Sequence, residues 1–414
     1  EARKPLIIMG ARQVGKTWLM KEFGKKYYEK TAYISFYNNQ RMNEVFQTDF
    51  DIERILMNLN IESGVTITPE DTLIILDEIQ NAPKALESLK YFCEEAPQYH
   101  VAAAGSLLGV AVNRQRYSFP VGKVETATLF PLDFEEFLWA RGKSSLAEDI
   151  RAAYDSMEPL PDALHQEAIE LYREYLIIGG MPACINAFLK SGSFLDVPLV
   201  QNEILDNYIA DMAKYASNTD SVKIRACYNS IPAQLAKDNK KFQYKVVQKG
   251  GSATLFGASI EWLNLAGVVL KCQRISQAFE PIAVYADLSA FKLYMGDVGL
   301  LTMKSGISQQ TVLSGEGNTF MGAVAENYVA QQLAAKGYDL YYWESSSTAE
   351  LDFVLQKGNQ IIGIEVKKGE HVRSRSLSVF VDSYKPAYSV RLSLKNFGEK
   401  DGLKSVPLYA AFCV

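Results

Sequence analysis

The chain has little of what covalent or metal chemistry usually leaves behind. Its five cysteines (Cys93, Cys184, Cys227, Cys272, Cys413) are odd in number and far apart, with no C-x-x-C pair. That argues against a disulfide framework and a zinc ribbon, and fits idle thiols in a reducing cytosol. Only three histidines occur, His100, His165 and His371, none with a partner at metal-ligand spacing. No apolar run is long enough to cross a bilayer. The opening EARKPLIIMG passes from charge straight into a short strand, without the layout of a signal peptide. A cytoplasmic protein without a membrane partner is therefore expected, and a start without methionine implies that the natural chain begins earlier. A net charge of −5 is not that of a protein coated for nucleic acid, so any such contact has to be local. The remaining composition is ordinary: 414 residues, 48% hydrophobic and 22% charged, enough for two to four domains.

What is present begins at Leu6. The apolar run Leu6–Met9 reads as a strand, Gly10-ARQVGK-Thr17 follows at once, and WLMKEFGKKY reads as a helix. The spacing G-x-x-x-x-G-K-T between strand and helix is that of a phosphate-cradling loop. Backbone N–H groups and the helix N-terminus hold the phosphates, and Gly10 and Gly15 let the backbone approach them. Lys16 reaches the β and γ phosphates, and Thr17 holds Mg²⁺. A second buried strand, Thr72-LIILDE, ends in Asp77, which can complete the Mg²⁺ shell, and Glu78, which can polarise the attacking water. Further strands read at Thr31-AYISFY and His100-VAAAGS. Ser106, at the end of the latter, would report the γ-phosphate or else be a simple turn residue. Strands alternating with helices imply a parallel sheet with its ligand at the carboxyl ends of the strands.

GARQVGKTWL, LDEIQ, AGSLLG and FPVGKVETATLFPLDFEEFL together resemble a family of uncharacterised bacterial and archaeal ATPases. In these an AAA-type (ASCE-class) P-loop core precedes a C-terminal domain of unknown function. The resemblance implies ATP and Mg²⁺ at Lys16, Thr17, Asp77 and Glu78. One departure is Gly122-Lys123, where the family is expected to carry Gly-Arg. Lysine is a point charge rather than a planar fork, so Arg114 and Arg116 rival Lys123 as a finger residue.

From Ser144 the pattern turns helical, through LAEDIRAAYDSM and HQEAIELYREYLIIGG. The sequence predicts a helical lid or linker over residues 144–204, in which Gly179-Gly180 is a helix stop or a hinge. Residues 205–305 read as helices followed by two strands, the order of a winged helix. Within them Lys237-DNKKFQYK, with Phe242 and Tyr244 interleaved, is either a basic patch that grips a DNA backbone or a solvated loop.

Residues 306–414 carry the most pointed pattern. Phe320-MGAVAENYVAQQLAAK reads as an amphipathic helix bearing Glu326, and Glu350-LDFVLQ and Ile361-IGIEVK alternate as a hairpin. If Gln356 faces Ile361, then Asp352 faces Glu365 and Glu350 faces Lys367. Carboxylates about 5 Å apart repel unless a cation lies between them, and Mg²⁺ or Mn²⁺ fits. A helix acid, a strand Asp and E-x-K resemble the restriction-endonuclease-like fold. By that resemblance Asp352 and Glu365 bind the metal, Glu326 supports its shell and Lys367 acts on the phosphodiester; beside them the basic group Lys368, Arg373 and Arg375 can hold a nucleic-acid backbone, with His371 nearby and without a role. The domain's balanced charge leaves a scaffold that does no chemistry as the competing reading.

The expected whole is an α/β multidomain chain: P-loop core (1–143), helical lid (144–204), winged helix (205–305) and restriction-endonuclease-like domain (306–414). Its expected function is Mg²⁺-dependent ATP hydrolysis coupled to a nuclease-like domain acting on DNA. The alternative is a nucleotide switch with a C-terminal interaction module. A homo-oligomer or a protein partner is compatible with either.

Overall fold

The computed structural model describes residues 3–106, 119–216, 218–315, 318–345, 349–369 and 375–414. They form two compact units, one of residues 1–130 with 265–267, the other of residues 131–264 with 268–414.

The first unit is a sheet wound by helices: β1 (Leu6–Met9), α1 (Lys16–Tyr27), β2 (Lys30–Ser35), α2 (Gln40–Thr48), α3 (Ile52–Ser63), β3 (Thr72–Asp77), α4 (Pro83–Glu95), β4 (His100–Ala104) and β5 (Glu125–Thr128). The strands are all parallel, in the order β2-β3-β4-β1-β5. Every residue of β3 is buried, as a strand covered on both faces requires. One face packs Ile7, Ile34, Ile74, Leu76 and Val101 against α2, α3 and α4 through Phe46, Ile55, Leu59, Leu86 and Leu89. On the other, Met20 of α1 meets Ile8, Leu73, Ile75 and Ala102. Register aligns the strand ends, since Ala104 pairs with both Ile8 and Asp77.

The second unit opens with helices: α5 (Phe134–Ala140), α6 (Ser144–Ser156), α7 (Asp162–Ile178), α8 (Pro182–Ser191), α9 (Val197–Tyr215), α10 (Asn218–Leu235) and α11 (Ala253–Leu265). Then come β6 (Val269–Ile275), β7 (Ala286–Met295), α12 (Val298–Ser305), α13 (Gln309–Ser314), α14 (Met321–Ala335), β8 (Tyr341–Glu344), β9 (Glu350–Lys357), β10 (Gln360–Val366), α15 (Arg375–Tyr384), β11 (Ser389–Ser393), β12 (Gly398–Lys400) and β13 (Leu403–Pro407). Their strands make one mixed sheet, β12-β13-β11-β10-β9-β8-β6-β7. On one face α15 packs Leu377 and Phe380 against Trp343, Leu351 and Val354.

Three expectations change here. The two strands read as a wing, β6 and β7, are the edge of the C-terminal sheet, with β6 parallel to β8. The reason lies in Phe291-KLY-Met295, buried at every position, whereas a wing is covered on one side only. The helices expected as a lid, α6 and α7, belong to this same unit, with α7 burying Tyr172 and Tyr175 against Tyr328 of α14. Finally, α14 is not amphipathic but buried from Ala323 to Ala334. Its polar groups are spent internally. Asn327 bonds both the N–H and the C=O of Met295, Gln331 accepts from Val298 N–H, and Gln332 accepts from Phe134 N–H.

Between α7 and α8 the Gly179-Gly180 pair is a pinned helix stop. Gly179 has φ +76°, and a Cβ there would lie 2.2 Å from Asp297 Oδ1. Gly180 N–H donates to Asp297 Oδ2 at 2.6 Å, and Leu300 N–H donates to Asp297 Oδ1 at 2.9 Å. Among the described residues no helix is long and apolar enough to cross a membrane.

Candidate functional site

The loop between β1 and α1 is shaped by its glycines. Gly10 has φ +134°, and a Cβ on it would sit 2.1 Å from Leu129 O, so only glycine closes this turn. Gly15, at φ +101°, starts α1 and leaves Lys16 as its first residue. Lys16 curls back over the loop, donating to Gly10 O at 3.0 Å and Ala11 O at 2.7 Å. It is 7% exposed. Burial lowers its pKa to about 8, against the opposing pull of Glu78 and then Asp77. Its ammonium thus rests on neutral carbonyl oxygens, weaker acceptors than an anion.

The acids come from β3. Thr17 donates from Oγ1 to Asp77 Oδ2 at 2.7 Å, which brings together the hydroxyl and the carboxylate read as a magnesium pair. Tyr33 of β2 donates to the same oxygen at 3.0 Å. Its hydroxyl is pushed up to about 12 by burial and then by Asp77, while Lys21 lies 3.5 Å from the centre of its ring. Glu78 follows in a left-handed conformation, φ +55°, with its N–H on Asp77 Oδ1 at 3.0 Å. Its carboxylate accepts a hydrogen bond from Gln80 Nε2. Ser106 is buried just past the end of β4, the strand between β1 and β3. Motif spacing alone assigns a role to neither Tyr33 nor Gln80. The Q in LDEIQ was the available signal for Gln80, whereas Tyr33 depends on the register of β2 with β3. Lys123 is tied to Glu94 at 2.8 Å, and its rivals Arg114 and Arg116 lie outside the described residues.

In the second unit the hairpin pairs as expected from Gln360↔Lys357 to Ile364↔Phe353, with Gln356 opposite Ile361. The acids at its open end are engaged by the protein's own groups. Among the described residues no group of three His, Cys, Asp or Glu could hold a metal ion. Glu365 turns to Arg391 and Lys367, each at 3.2 Å, while Asp352 accepts the N–H of Val366 at 2.8 Å. The β9–β10 ladder ends at Ile364↔Phe353, short of Glu350 and Lys367, and on its other edge Glu350 pairs with Glu344 of β8. The cation that the repulsion demanded is the protein's own. Lys292 of β7, 1% exposed, lies 2.6 Å from Glu350 Oε1 and 3.9 Å from Glu326 Oε2. Lys240 bonds the other oxygen of Glu326, and Tyr294 donates to Glu326 Oε2 at 3.4 Å. Burial pulls the Lys292 pKa down, but Glu326, Glu350 and Asp352 more than offset it, and the ammonium is retained. Asp352 is raised from the ordinary carboxylate value by burial and then by Glu326. The sequence hid Lys292 because it stands about sixty residues before the hairpin, on a strand read as belonging to another domain.

The basic patch is likewise consumed internally. Lys241 holds both oxygens of Glu344 at 2.6 Å, Lys237 bonds Gln243, and Phe242 stacks on Phe291. Lys368 donates to Asn318 O at 2.9 Å and Arg375 starts α15. His371 and Arg373 lie outside the described residues.

Residues 2–138 match a family model described as an AAA domain. Residues 169–311 and 321–411 match models described as domains of unknown function (DUF8612 and DUF4143). Uncharacterized proteins of Mycobacterium bovis and Mycobacterium tuberculosis are each 38% identical over 79 residues, which is 19% of this chain and 18% of theirs. Among solved structures, a Walker-type ATPase of Pyrococcus abyssi is similar at TM-score 0.43 and 12% identity, over 72% of this chain and 90% of that one. The ORC2 protein of Aeropyrum pernix is similar at 0.33 and 13%, over 78% and 88%. Residues 2–138, on the parallel α/β core, are thus similar to an AAA domain, and the residues after them are similar to domains of unknown function.

Proposed function

We propose that the first unit binds ATP with Mg²⁺ and hydrolyses it, and that the second unit is an interaction module responding to the nucleotide state. The contact that carries the first half is Thr17 Oγ1 to Asp77 Oδ2, 2.7 Å, beside Lys16 on its loop carbonyls. Mg²⁺ keeps several waters and needs one or two protein oxygens, and this pair supplies them. Bound there with the phosphates, the ion would neutralise charge on the β and γ oxygens. Lys16 would leave Gly10 O and Ala11 O for the phosphates, Glu78 would take a proton from the attacking water, and Ser106 would face the γ-phosphate. Lys16→Ala is expected to weaken binding of a fluorescent ATP analogue at least tenfold. Glu78→Gln should bind it normally and lose turnover by about 10²–10⁴-fold. ATP turnover by Lys16→Ala at the wild-type rate would refute this reading.

For the second unit, the order α14-β8-β9-β10-α15-β11, with β11 parallel to β10, supports the resemblance to the restriction-endonuclease-like fold. The ion pairs of Glu365 with Arg391 and of Glu350 with Lys292 favour a module without hydrolytic chemistry. Incubation with single- and double-stranded DNA or RNA and Mg²⁺ or Mn²⁺, with and without ATP, should give no cleavage. Cleavage that disappears in Lys367→Ala would instead restore the nuclease reading, with DNA as its substrate.

A further inference from the structure

After β3 the chain makes a single 3₁₀ turn, Ile79–Asn81, which returns the Gln80 side chain onto Glu78. Gln80 is 7% exposed, an unusual place for a carboxamide unless both of its ends are used. One end is used, since Nε2 donates to Glu78 Oε2. The other is not, because Oε1 is buried and accepts no hydrogen bond among the described residues. Glu78 meanwhile sits in the left-handed region, which a non-glycine residue occupies at a cost, and such strain persists where the surroundings fix it. The turn does so, with Asn81 N–H on Glu78 O at 3.0 Å and Glu78 N–H on Asp77 Oδ1 at 3.0 Å. Glu78 also feels Lys16, on which it exerts the largest opposing pull. Gln80 Nε2 donates directly to that carboxylate, whereas Lys16 acts on it only through its charge, its own hydrogen bonds going to Gly10 O and Ala11 O.

We propose that Gln80 is a positioning residue for hydrolysis: its amide N–H aims the Glu78 carboxylate, and its free Oε1 accepts the second O–H of the water that Glu78 activates. This rests on the ATPase reading above. The step balances as ATP + H₂O → ADP + phosphate + H⁺. The water oxygen bonds to the γ-phosphorus and one of its protons passes to Glu78. The bond to the β–γ bridging oxygen breaks, and ADP leaves with the electron pair. Gln80 neither gains nor loses a proton. Two oxygen acceptors on one water fix both its O–H directions and therefore the lone pair that attacks, which is an orientation effect.

The test is a split between catalysis and binding. Gln80→Met keeps the bulk and removes donor and acceptor. Gln80→Glu keeps an acceptor but replaces the donor with a second carboxylate. Both are measured in the full chain for kcat and KM with Mg-ATP, and for Kd of a fluorescent ATP analogue and thermal midpoint. We expect kcat to fall about 10–100-fold in each, with KM and Kd within threefold of wild type. Wild-type kcat in Gln80→Met would overturn the inference, as would a joint loss of kcat, affinity and midpoint in both variants. Should Gln80→Met fail to fold, Gln80→Glu decides by the same split. If the wild type itself does not hydrolyse ATP, it is the ATPase reading that fails. If the wild type turns over and both variants match it, only the role of Gln80 is lost.

Discussion

At the scale of single residues, the decisive side chain of the second unit is a lysine. Lys292 has no water to solvate it, so its charge depends on Glu350 and Glu326. Removing one partner of a buried pair leaves an uncompensated charge, which costs far more than the pair itself stabilises. Lys292→Met should therefore destabilise by about 3–5 kcal/mol in urea unfolding, and adding Glu350→Gln should recover part of that loss. If the double variant is no more stable than Lys292→Met, the pairing is not what holds the lysine. At this scale the sequence was legible where geometry is written locally. Gly10, Lys16, Thr17, Asp77 and Glu78 lie in two short stretches, and the strand–loop–helix geometry around them follows from their spacing. It was not legible where a charge finds its partner across strands. The repulsion among the hairpin acids was readable, but Lys240 and Lys292 as its answer required the sheet.

Elements show the same division. The parallel core could be anticipated because its strands are short apolar runs separated by helical stretches, and β3 is buried at every position. The edge strands β6 and β7 misled because local pattern cannot say which sheet a strand joins. Helix α14 misled because its Asn and Gln residues resemble a solvated face yet bond inside. The junction of α7 with α8 has its own titration. Burial raises Asp297 to about 6 against the bonds from Gly180, Leu300, Gln331 and Gly299. The titratable groups near it are Tyr175, Tyr208, Tyr228 and Cys184, all pushed upward by burial. A carboxyl whose folded pKa exceeds its unfolded value of 3.8 contributes stability at low pH that is lost as pH rises through about 6. Between pH 4 and 7 this residue should cost the native state about 2–3 kcal/mol. Asp297→Asn should flatten that slope in denaturant titrations at the two pH values, and an unchanged slope would assign it to other groups.

On the scale of the molecule, the sheet of the second unit runs across the boundary read from the sequence at residue 306. A boundary at residue 306 would separate β8–β13 from β6 and β7. Glu350 and Glu326 would lose Lys292, and Asn327 would lose its partner Met295. A 306–414 fragment should show no cooperative thermal transition and no slowly exchanging amides in β8 and β9. A sharp transition in that fragment would make it a domain in its own right. The eight-stranded sheet joins stretches distant in sequence, which slows closure because chain entropy is spent before contacts form.

This arrangement also has a consequence for synthesis. The chain emerges N-terminus first, so Lys240 and Lys292 leave the ribosome before Glu326, Glu350 and Asp352 exist to receive them. During that interval the β6–β7 hairpin carries its apolar FKLYM face and an unpaired ammonium into solvent. A nascent chain whose β6–β7 hairpin has emerged while Glu326 and Glu350 are still inside the ribosome would display that face to any holding chaperone, and the emergence of Glu350 would withdraw it.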